Sequence, residues 1–103
     1  MKQLEFLGDS LHRLREFPEA ARKEAGVQLH KIQLGLEPSD WKPMGTVGAG
    51  VREIRIRDGA GAFRVLYVVH IGDAIYVLHA FQKKTQQTAK KDLDLAASRL
   101  RQI

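Results

Sequence analysis

The side chains best suited to chemistry are cations in the stretch from residue 51 to residue 84. The set comprises Arg55, Arg57, Arg64, Lys83 and Lys84, with His79 and Phe81 close to them in sequence. Guanidinium and ammonium groups stabilise the charge that builds up on phosphoryl oxygens, and an arginine does so through two parallel hydrogen bonds. These residues are therefore candidates for binding a nucleic-acid phosphate.

Cleavage of RNA needs no metal when the ribose 2′-hydroxyl attacks the adjacent phosphate. The enzyme must then take up one proton, donate another and stabilise extra negative charge. His79 is the one residue near the cations whose ordinary pKa is close to 7, so it is either an acid or base or a structural strand residue. Phe81 either stacks on a base or packs in the core.

Several other kinds of site are excluded by residue type and spacing. The carboxylates of Asp58 and Asp73 fall in turns, so no magnesium-type cluster can be assembled on the strands. The four histidines show no zinc-type spacing, the chain has no cysteine, and no Ser/His/Asp set can be proposed from order alone. The glycines at 45, 48 and 50 lack the lysine and helix of a phosphate-binding loop. The sequence therefore predicts neither a metal nor a cofactor.

The net charge of +5 is concentrated near the C-terminus. Residues 1–50 hold seven basic and seven acidic side chains, whereas residues 81–103 hold six and two. Such a local excess suits RNA or DNA, although a solvated surface has the same composition. Lys90 and Lys91 sit at the positive end of the last predicted helix, which suggests a role outside helix stability. The further candidates for RNA binding are Arg52, Arg57, Phe81, Lys90 and Lys91.

Length and composition predict one globular domain over residues 1–103, since 44% of the residues are hydrophobic. No apolar run approaches the roughly 20 residues that span a bilayer, and the N-terminus is too acidic for a secretory signal. We therefore expect a cytoplasmic protein with no membrane partner.

The elements that must position the cations are three successive strands between residues 51 and 84. Ile54 and Ile56 alternate with Glu53, Arg55 and Arg57, which is typical of a strand with one apolar side. The nearly all-apolar segments 63–70 and 74–81 read as central strands. The short links 58–62 and 71–73 predict an antiparallel meander, and residues 3–7 a short edge strand.

Helices are predicted on both sides of these strands. A short helix carries Leu11 and Leu14, and a third helix follows Thr88 as its N-cap. The second helix begins near Pro18 and ends at Gly35 and Pro38, and its apolar stripe comprises Ala21, Ala25, Leu29, Ile32 and Leu36. Residues 37–50 read as a loop held to the core by Trp41 and Met44. The expected fold is α+β: a small antiparallel twisted sheet of about four strands, with an N-terminal helical hairpin on one face and a C-terminal helix.

The sequence resembles the phage-derived HigB-like toxins of the RelE/ParE superfamily. The segments that carry the resemblance are Trp41-Lys42-Pro43, Val51–Arg55, Phe63–Val68 and Leu78–Gln86, in that order over nearly the whole chain. The resemblance implies the toxin of a type II toxin–antitoxin pair that binds the ribosome and cuts mRNA without a metal. It also implies a cognate antitoxin, a helix-turn-helix DNA-binding protein of the HigA kind.

The resemblance assigns roles to individual residues. Arg64 occupies the position that binds the scissile phosphate, Arg55 matches a basic residue on the preceding strand, and Lys83 or Lys84 matches a basic residue at the end of the last strand. Two features depart from RelE: Glu53 stands where RelE has a lysine, and the C-terminal segment has no tyrosine. The general base is therefore not identified. Arg64→Ala is expected to abolish toxicity and to leave the fold intact.

Two alternative functions remain compatible with the residues. A ParE-like toxin that inhibits DNA gyrase without enzymatic activity would share the fold, but it would need no phosphate-binding set. An inactive nucleic-acid-binding phage relic would keep the basic surface without toxicity. The basic cluster favours the endoribonuclease.

Overall fold

The chain forms a five-stranded sheet with helices on both faces, as described by a computed structural model of residues 1–70 and 72–103. The eight elements, in chain order, are β1 (Gln3–Phe6), α1 (Ser10–Arg15), α2 (Glu19–Gln33), β2 (Trp41–Pro43), β3 (Arg52–Asp58), β4 (Gly61–His70), β5 (Ala74–Lys83) and α3 (Lys90–Leu100). None of the helices in these two ranges is both long and apolar enough to cross a membrane.

The strand order across the sheet is β1-β5-β4-β3-β2. The predicted meander is confirmed, because β3, β4 and β5 pair as antiparallel neighbours. The prediction of an antiparallel sheet of about four strands is wrong in two respects. β1 pairs with β5 in parallel, and a fifth strand, β2, pairs with β3 inside the predicted loop 37–50. Three residues with a proline among them are too short to show a periodic pattern.

The short links between strands rely on residues with positive φ. Gly61 (φ 134°) opens β4 after the predicted turn at 58–62. Within the predicted reversal 71–73, Ile71 lies outside the described residues, whereas Gly72 (φ 94°) and Asp73 (φ 63°) take left-handed conformations. Aspartate tolerates this region better than most side chains, so the turn is compatible with its sequence.

One face of the sheet, here called the α2 face, packs against α1 and α2. The predicted stripe of α2 buries Ala21, Ala25, Leu29 and Ile32 on strand residues that include Ile54. The last member of that stripe, Leu36, is 56% exposed because α2 ends at Gln33, and Gly35 turns the chain with φ 83°. The helix therefore stops close to its predicted end, and too early to bury Leu36.

The opposite face, here called the α3 face, packs against α3 and the segment after β2. Its apolar cluster combines Leu66 and Leu78 with Met44, Val47 and Ala96. The β4–β5 register has a bulge between Leu66 and Tyr67, and this bulge places both Leu78 and His79 on the α3 face. The apolar cluster occupies one end of this face, and charged side chains lie at the other end, near Asp58, Gly61 and Lys83.

Two predicted details of the segments beside the sheet are wrong. Thr88 does not cap α3, since the helix follows Ala89 without a side-chain cap and the Thr88 hydroxyl bonds elsewhere. Trp41 lies in strand β2 rather than in a loop. Its side chain is half-buried, and Cζ of Arg52 lies 4.0 Å from the centroid of its ring. The predicted anchor Met44 is buried.

Candidate nucleic-acid site

The predicted cations converge on one end of the α3 face. Arg55 on β3 lies directly opposite Arg64 on β4, and Arg64 lies opposite Phe81 on β5. The next row toward the strand ends pairs Arg57 with Ala62 and Ala62 with Lys83. Side chains directly opposite one another are about 5 Å apart at Cβ, so these rows form one cationic surface.

The pKa values of two members of this surface are shifted by burial and by the neighbouring charges. The pKa of the half-buried Lys83 ammonium is lowered, first by partial burial and then by the positive charges of Arg64, Lys42 and Arg55, while Glu53 opposes the shift. The pKa of Arg64 is lowered first by burial, with Arg55 and Arg57 adding to the effect. Like charges held together in this way favour an anion between them.

Arg64 itself is almost fully buried, with 1% of its surface exposed. Its Nε lies 3.3 Å from Oε1 of Glu53 in an ion pair, and its Nη1 donates a hydrogen bond of 3.0 Å to the carbonyl of Phe63. The second carboxylate oxygen of Glu53 accepts a hydrogen bond of 2.9 Å from the hydroxyl of Thr88. Glu53 therefore links the central arginine to the segment that leads into α3.

A carboxylate partner changes what Arg64 can do. The Glu53–Arg64 contact has the distance of an ion pair but not the geometry of a hydrogen bond, so both facing atoms lack a hydrogen-bond partner in the described part of the chain. Buried charges without hydrogen-bond partners cost folding free energy, so this pair stabilises the fold less than a fully hydrogen-bonded pair would.

His79 is fully buried beside this pair, in the row that joins Lys42, Glu53 and Leu66. Its Nε2 lies 2.8 Å from Oδ1 of Asp92 in the first turn of α3. Burial lowers the pKa of His79, and the bond to Asp92 only partly opposes this. A neutral imidazole held in this position joins β5 to α3 and does not reach solvent.

Phe81 is buried as well, with 6% of its surface exposed. Its ring stacks on that of His79 at 4.9 Å between centroids and at an interplanar angle of 23°. One face of the phenyl ring is therefore already covered. Of the two predicted roles, packing is the one that the contacts describe.

The remaining predicted site residues, Lys84 for catalysis and Arg52, Lys90 and Lys91 for RNA binding, are dispersed. Arg52 lies beyond the cationic rows at the other end of β3, where it pairs with Glu37 at 2.7 Å and covers Trp41. Lys84 is exposed just past β5. At the start of α3, Lys90 pairs with Asp94 at 2.7 Å, whereas Lys91 lines a cleft at the edge of the sheet.

Four residues of the site could not be assigned to it from the sequence. Lys42 on β2 lies opposite Glu53 and adds a cation to the surface, and Glu53, Thr88 and Asp92 provide the polar contacts to Arg64 and His79. Glu53 carried a signal, because it alternates in phase with Arg55 and Arg57. The contacts of Thr88 and Asp92 span 35 and 13 residues and leave no local pattern.

The cleft, of about 590 Å³, opens beside the cationic rows at the free edge of β5. It includes Lys83 and Lys84 from the strand end, Arg13 from α1 and Lys91 from α3. Within residues 1–70 and 72–103, histidines and carboxylates form no cluster of three that could hold a metal ion.

Residues 12–101 match the sequence profile of the family described as Phage derived protein Gp49-like (DUF891). The chain belongs to this Gp49-like family. A comparison with curated proteins finds no match.

Solved structures of the Escherichia coli toxin RelE are similar to this chain in fold. A double arginine-to-alanine mutant of RelE in the free state superposes with a TM-score of 0.67 at 14% identity, covering 99% of this chain and 97% of that one. The intact E. coli RelBE toxin–antitoxin complex gives 0.67 at 16% identity, covering 82% and 100%. The isolated RelE toxin gives 0.64 at 14% identity, covering 91% and 97%. This Gp49-like chain therefore has a RelE-like fold.

Proposed function

We propose that this Gp49-like protein is the toxin of a type II toxin–antitoxin system and cleaves mRNA on the ribosome. The observation that carries the proposal is the placement of Arg55, Arg64 and Lys83 on adjoining positions of one sheet face. The RelE-like fold and the phage-derived family support it.

The proposed reaction is transesterification within the RNA chain. The 2′-oxygen of one ribose attacks the adjacent phosphorus and loses its proton, the bond to the 5′-oxygen breaks, and that oxygen gains a proton. The products are a 2′,3′-cyclic phosphate and a free 5′-hydroxyl. Arg55 and Lys83 are half-buried and would stabilise the charge on the phosphoryl oxygens directly, whereas Arg64 would reach a phosphate only if its buried ion pair with Glu53 opened. Such electrostatic stabilisation commonly contributes more to catalysis than any other effect.

Glu53 and His79 take supporting roles in this proposal. Glu53 holds Arg64 in place until the phosphate arrives, and His79 with Asp92 fixes the start of α3 over the site. Both side chains are fully buried in the free protein, so neither is assigned a direct proton transfer.

The proposed partner is an antitoxin of the HigA-like, helix-turn-helix kind. A solved structure similar to this chain is the E. coli RelBE toxin–antitoxin complex. The net charge of +5 suits both a polyanionic RNA and an acidic protein segment. Such an antitoxin is expected from the adjacent open reading frame.

The test is induced expression, followed by mapping of mRNA 5′ ends and measurement of plasmid supercoiling. Growth arrest with new mRNA ends inside open reading frames, and with normal supercoiling, supports the proposal. Arrest with altered supercoiling and intact mRNA would instead identify a ParE-like gyrase inhibitor. Unaffected growth at a confirmed expression level would indicate a non-toxic nucleic-acid-binding protein.

The matched variants are Arg55→Ala and Arg22→Ala. Arg55 is half-buried within the cationic surface, whereas Arg22 is exposed on α2, and both substitutions remove one positive charge. Loss of one electrostatic stabiliser is expected to slow cleavage on purified ribosomes by about 100-fold or more, and Arg22→Ala is expected to have no effect. Equal rates for the two variants would refute the phosphate role of the surface.

Arg64→Ala is a poorer test than the sequence suggested. The ion pair with Glu53 is buried on both sides, so removing the arginine leaves an uncompensated carboxylate in the interior. The variant is therefore expected to destabilise the fold as well as the site. Arg64→Lys keeps the charge and loses the bidentate geometry, and circular dichroism would verify its folding.

A further inference from the structure

The α2 face of the sheet is not covered along its whole length. α2 ends at Gln33, whereas β4 runs on to His70 at the same end of the molecule. Beyond the end of the helix lies a second cleft, of about 320 Å³, at the opposite end of β3 and β4 from the cationic rows. That volume lies within the usual range of roughly 300–1,000 Å³ for small-molecule sites. It is here called the α2-end cleft, and its lining includes Lys2, Ile32, Leu36, Arg52, Tyr67 and Val69.

The open part of the α2-end cleft is aliphatic. Leu36 and Val69 both line it, and they remain 56% and 41% exposed although their side chains are apolar. Apolar side chains of this kind gain free energy when a ligand removes them from water. The cleft therefore favours a ligand with a short aliphatic group.

Two cations line the cleft, and one of them is already paired. Nη1 of Arg52 donates a hydrogen bond of 2.7 Å to Glu37, which also lines the cleft. The ammonium of Lys2 makes no ion pair within residues 1–70 and 72–103. It lies beside Gly35, where an added Cβ atom would meet Nζ of Lys2 at 3.9 Å. The lining thus has one uncompensated positive charge, which favours an anion.

One buried polar group lines the cleft without a partner. Tyr67 lies directly opposite Arg52 in the β3–β4 ladder and is 1% exposed, and its hydroxyl makes no hydrogen bond in the described part of the chain. Burial raises the pKa of Tyr67 and Arg52 opposes the shift, so the hydroxyl is protonated at neutral pH and can donate. A ligand oxygen reaches it when a neighbouring side chain of the lining changes rotamer, as exposed side chains readily do. That oxygen would satisfy a donor that folding leaves unpaired.

We propose that the α2-end cleft binds a carboxylate attached to a short aliphatic chain. The carboxylate accepts hydrogen bonds from the Tyr67 hydroxyl and the Lys2 ammonium, and the aliphatic chain lies against Leu36 and Val69. One uncompensated positive charge matches a carboxylate, whereas a phosphate monoester carries about −1.5 to −2 at pH 7. Free carboxylic acids and peptide C-termini that end in an aliphatic residue both present this chemistry. The site is separate from the cationic surface and does not depend on RNA cleavage.

The binding test uses hexanoate, hexan-1-ol and inorganic phosphate as probes of the full chain. Amide chemical shifts of the uniformly labelled protein locate each probe, and titration gives its dissociation constant. Hexanoate is expected to bind in the cleft about tenfold or more tightly than hexan-1-ol, because hydrogen bonds to a charged group are the stronger ones. Inorganic phosphate, which has no aliphatic chain, is expected to leave the amides of the cleft unshifted.

Tyr67→Phe separates ligand binding from stability. The substitution removes a buried hydroxyl that has no partner, so the free protein is expected to unfold at an equal or higher temperature. The same substitution is expected to weaken hexanoate binding about fivefold or more, because the carboxylate loses a donor. A tyrosine with only a structural role would not produce both results.

Lys2→Met tests the contribution of the charge. Methionine keeps an unbranched apolar stem and removes the ammonium, so hexanoate is expected to bind about fivefold or more weakly and hexan-1-ol equally well. The matched control is Lys23→Met, which removes an exposed ammonium from α2 outside the lining of the cleft. This control is expected to change the affinity of neither probe.

A pentapeptide that ends in leucine, prepared as the free acid and as the C-terminal amide, distinguishes the two sources of the carboxylate. If the free-acid peptide binds in the cleft more tightly than hexanoate and the amide does not bind, the natural ligand is a protein terminus. The reverse order of affinity would assign the site to free acids, and both results support a carboxylate site. Equal affinity for hexanoate and hexan-1-ol, or hexanoate shifts confined to other surfaces, would overturn the proposal. Unchanged hexanoate binding in Tyr67→Phe would also overturn it, since the hydroxyl would then take no part in binding.

Discussion

The two faces of the sheet are built from alternate residues of the same strands, and they differ in what they bury. The α2 face buries aliphatic and aromatic side chains from Leu14 to Ala80 in one continuous cluster. The α3 face buries a smaller apolar cluster together with Glu53, Arg64 and His79. Because the side-chain period of a strand is two, each strand contributes to stability on one face and can place charges on the other.

Most of the free-energy cost of burying polar atoms lies on the α3 face. Four buried side-chain atoms lack a hydrogen-bond partner in the described part of the chain, and three of them belong to Glu53, Arg64 and His79 on the α3 face. Buried polar atoms without partners lower stability, and they recur where function requires them. The α2 face therefore holds the fold together, whereas the α3 face gives up stability to keep charged groups in place.

The largest expected effect comes from breaking the buried ion pair. Glu53→Ala should lower the free energy of unfolding by about 3–5 kcal/mol, because it leaves the Arg64 guanidinium buried without its carboxylate. Lys23→Ala is the control, since Lys23 and Glu19 form an exposed pair, 3.1 Å apart, on the outer side of α2. Exposed pairs typically contribute less than about 1 kcal/mol.

Urea unfolding followed by circular dichroism measures both variants. If Glu53→Ala lowers the free energy of unfolding no more than Lys23→Ala does, the buried ion pair contributes no more to stability than an exposed one. The contrast between the two faces would then be wrong. The variant Glu53→Gln, which keeps the shape and removes the charge, is expected to fall between the two.

The α2 face was predictable from the sequence because its signals are periodic. Ala21, Ala25, Leu29 and Ile32 repeat at helical spacing and are all buried, and Ile54 alternates with charged neighbours. The elements that were missed or misplaced lack such periodicity. β2 is three residues long, and the parallel pairing of β1 with β5 joins segments about 70 residues apart.

The α3 face was predictable only in part. The alternation of Arg55 and Arg57 and the position of Arg64 beside them indicated a common cationic surface, and the strand register brings the three together. The burial of Glu53, Arg64 and His79 was not predictable, because the sequence of a strand does not show which of its residues another element will cover. The links from Thr88 and Asp92 to the sheet depend on where the last helix packs, which no local pattern encodes.

A smaller effect is expected when the link between α3 and the ion pair is removed. Thr88→Val keeps the shape of the side chain and removes its hydrogen bond to Glu53, which should cost about 1–2 kcal/mol. Thr85→Val is the control, because the Thr85 hydroxyl donates to the carbonyl of Gln87, two residues away in the same exposed segment.

Hydrogen exchange shows where the loss occurs. Amides at the start of α3 should exchange faster in Thr88→Val, whereas amides of α2 should be unchanged. Equal acceleration on both sides of the sheet would mean that the two faces do not respond independently.

The smallest effect is a pH dependence confined to the α3 face. Burial lowers the pKa of His79 below its ordinary value of 6.5, against the opposing influence of Asp92 and with Arg99 and Arg13 adding to the shift. Between the lowered pKa and 6.5, the unfolded chain therefore binds a proton that the folded chain does not. The stability contributed by the neutral imidazole is complete above about pH 6.5 and is lost as the pH falls below that value.

His79→Gln should abolish this dependence, because glutamine keeps a polar group near Asp92 but does not titrate. Unfolding free energies measured between pH 5 and pH 8 should decline toward acid for the natural chain and remain flat for the variant. The Asp9 carboxyl, whose pKa is lowered chiefly by its bond to Arg99, adds a separate loss only below about pH 3.8. If the unfolding free energy of His79→Gln still declines between pH 6.5 and pH 5, the titrating group is not His79. The pH dependence would then not belong to the α3 face.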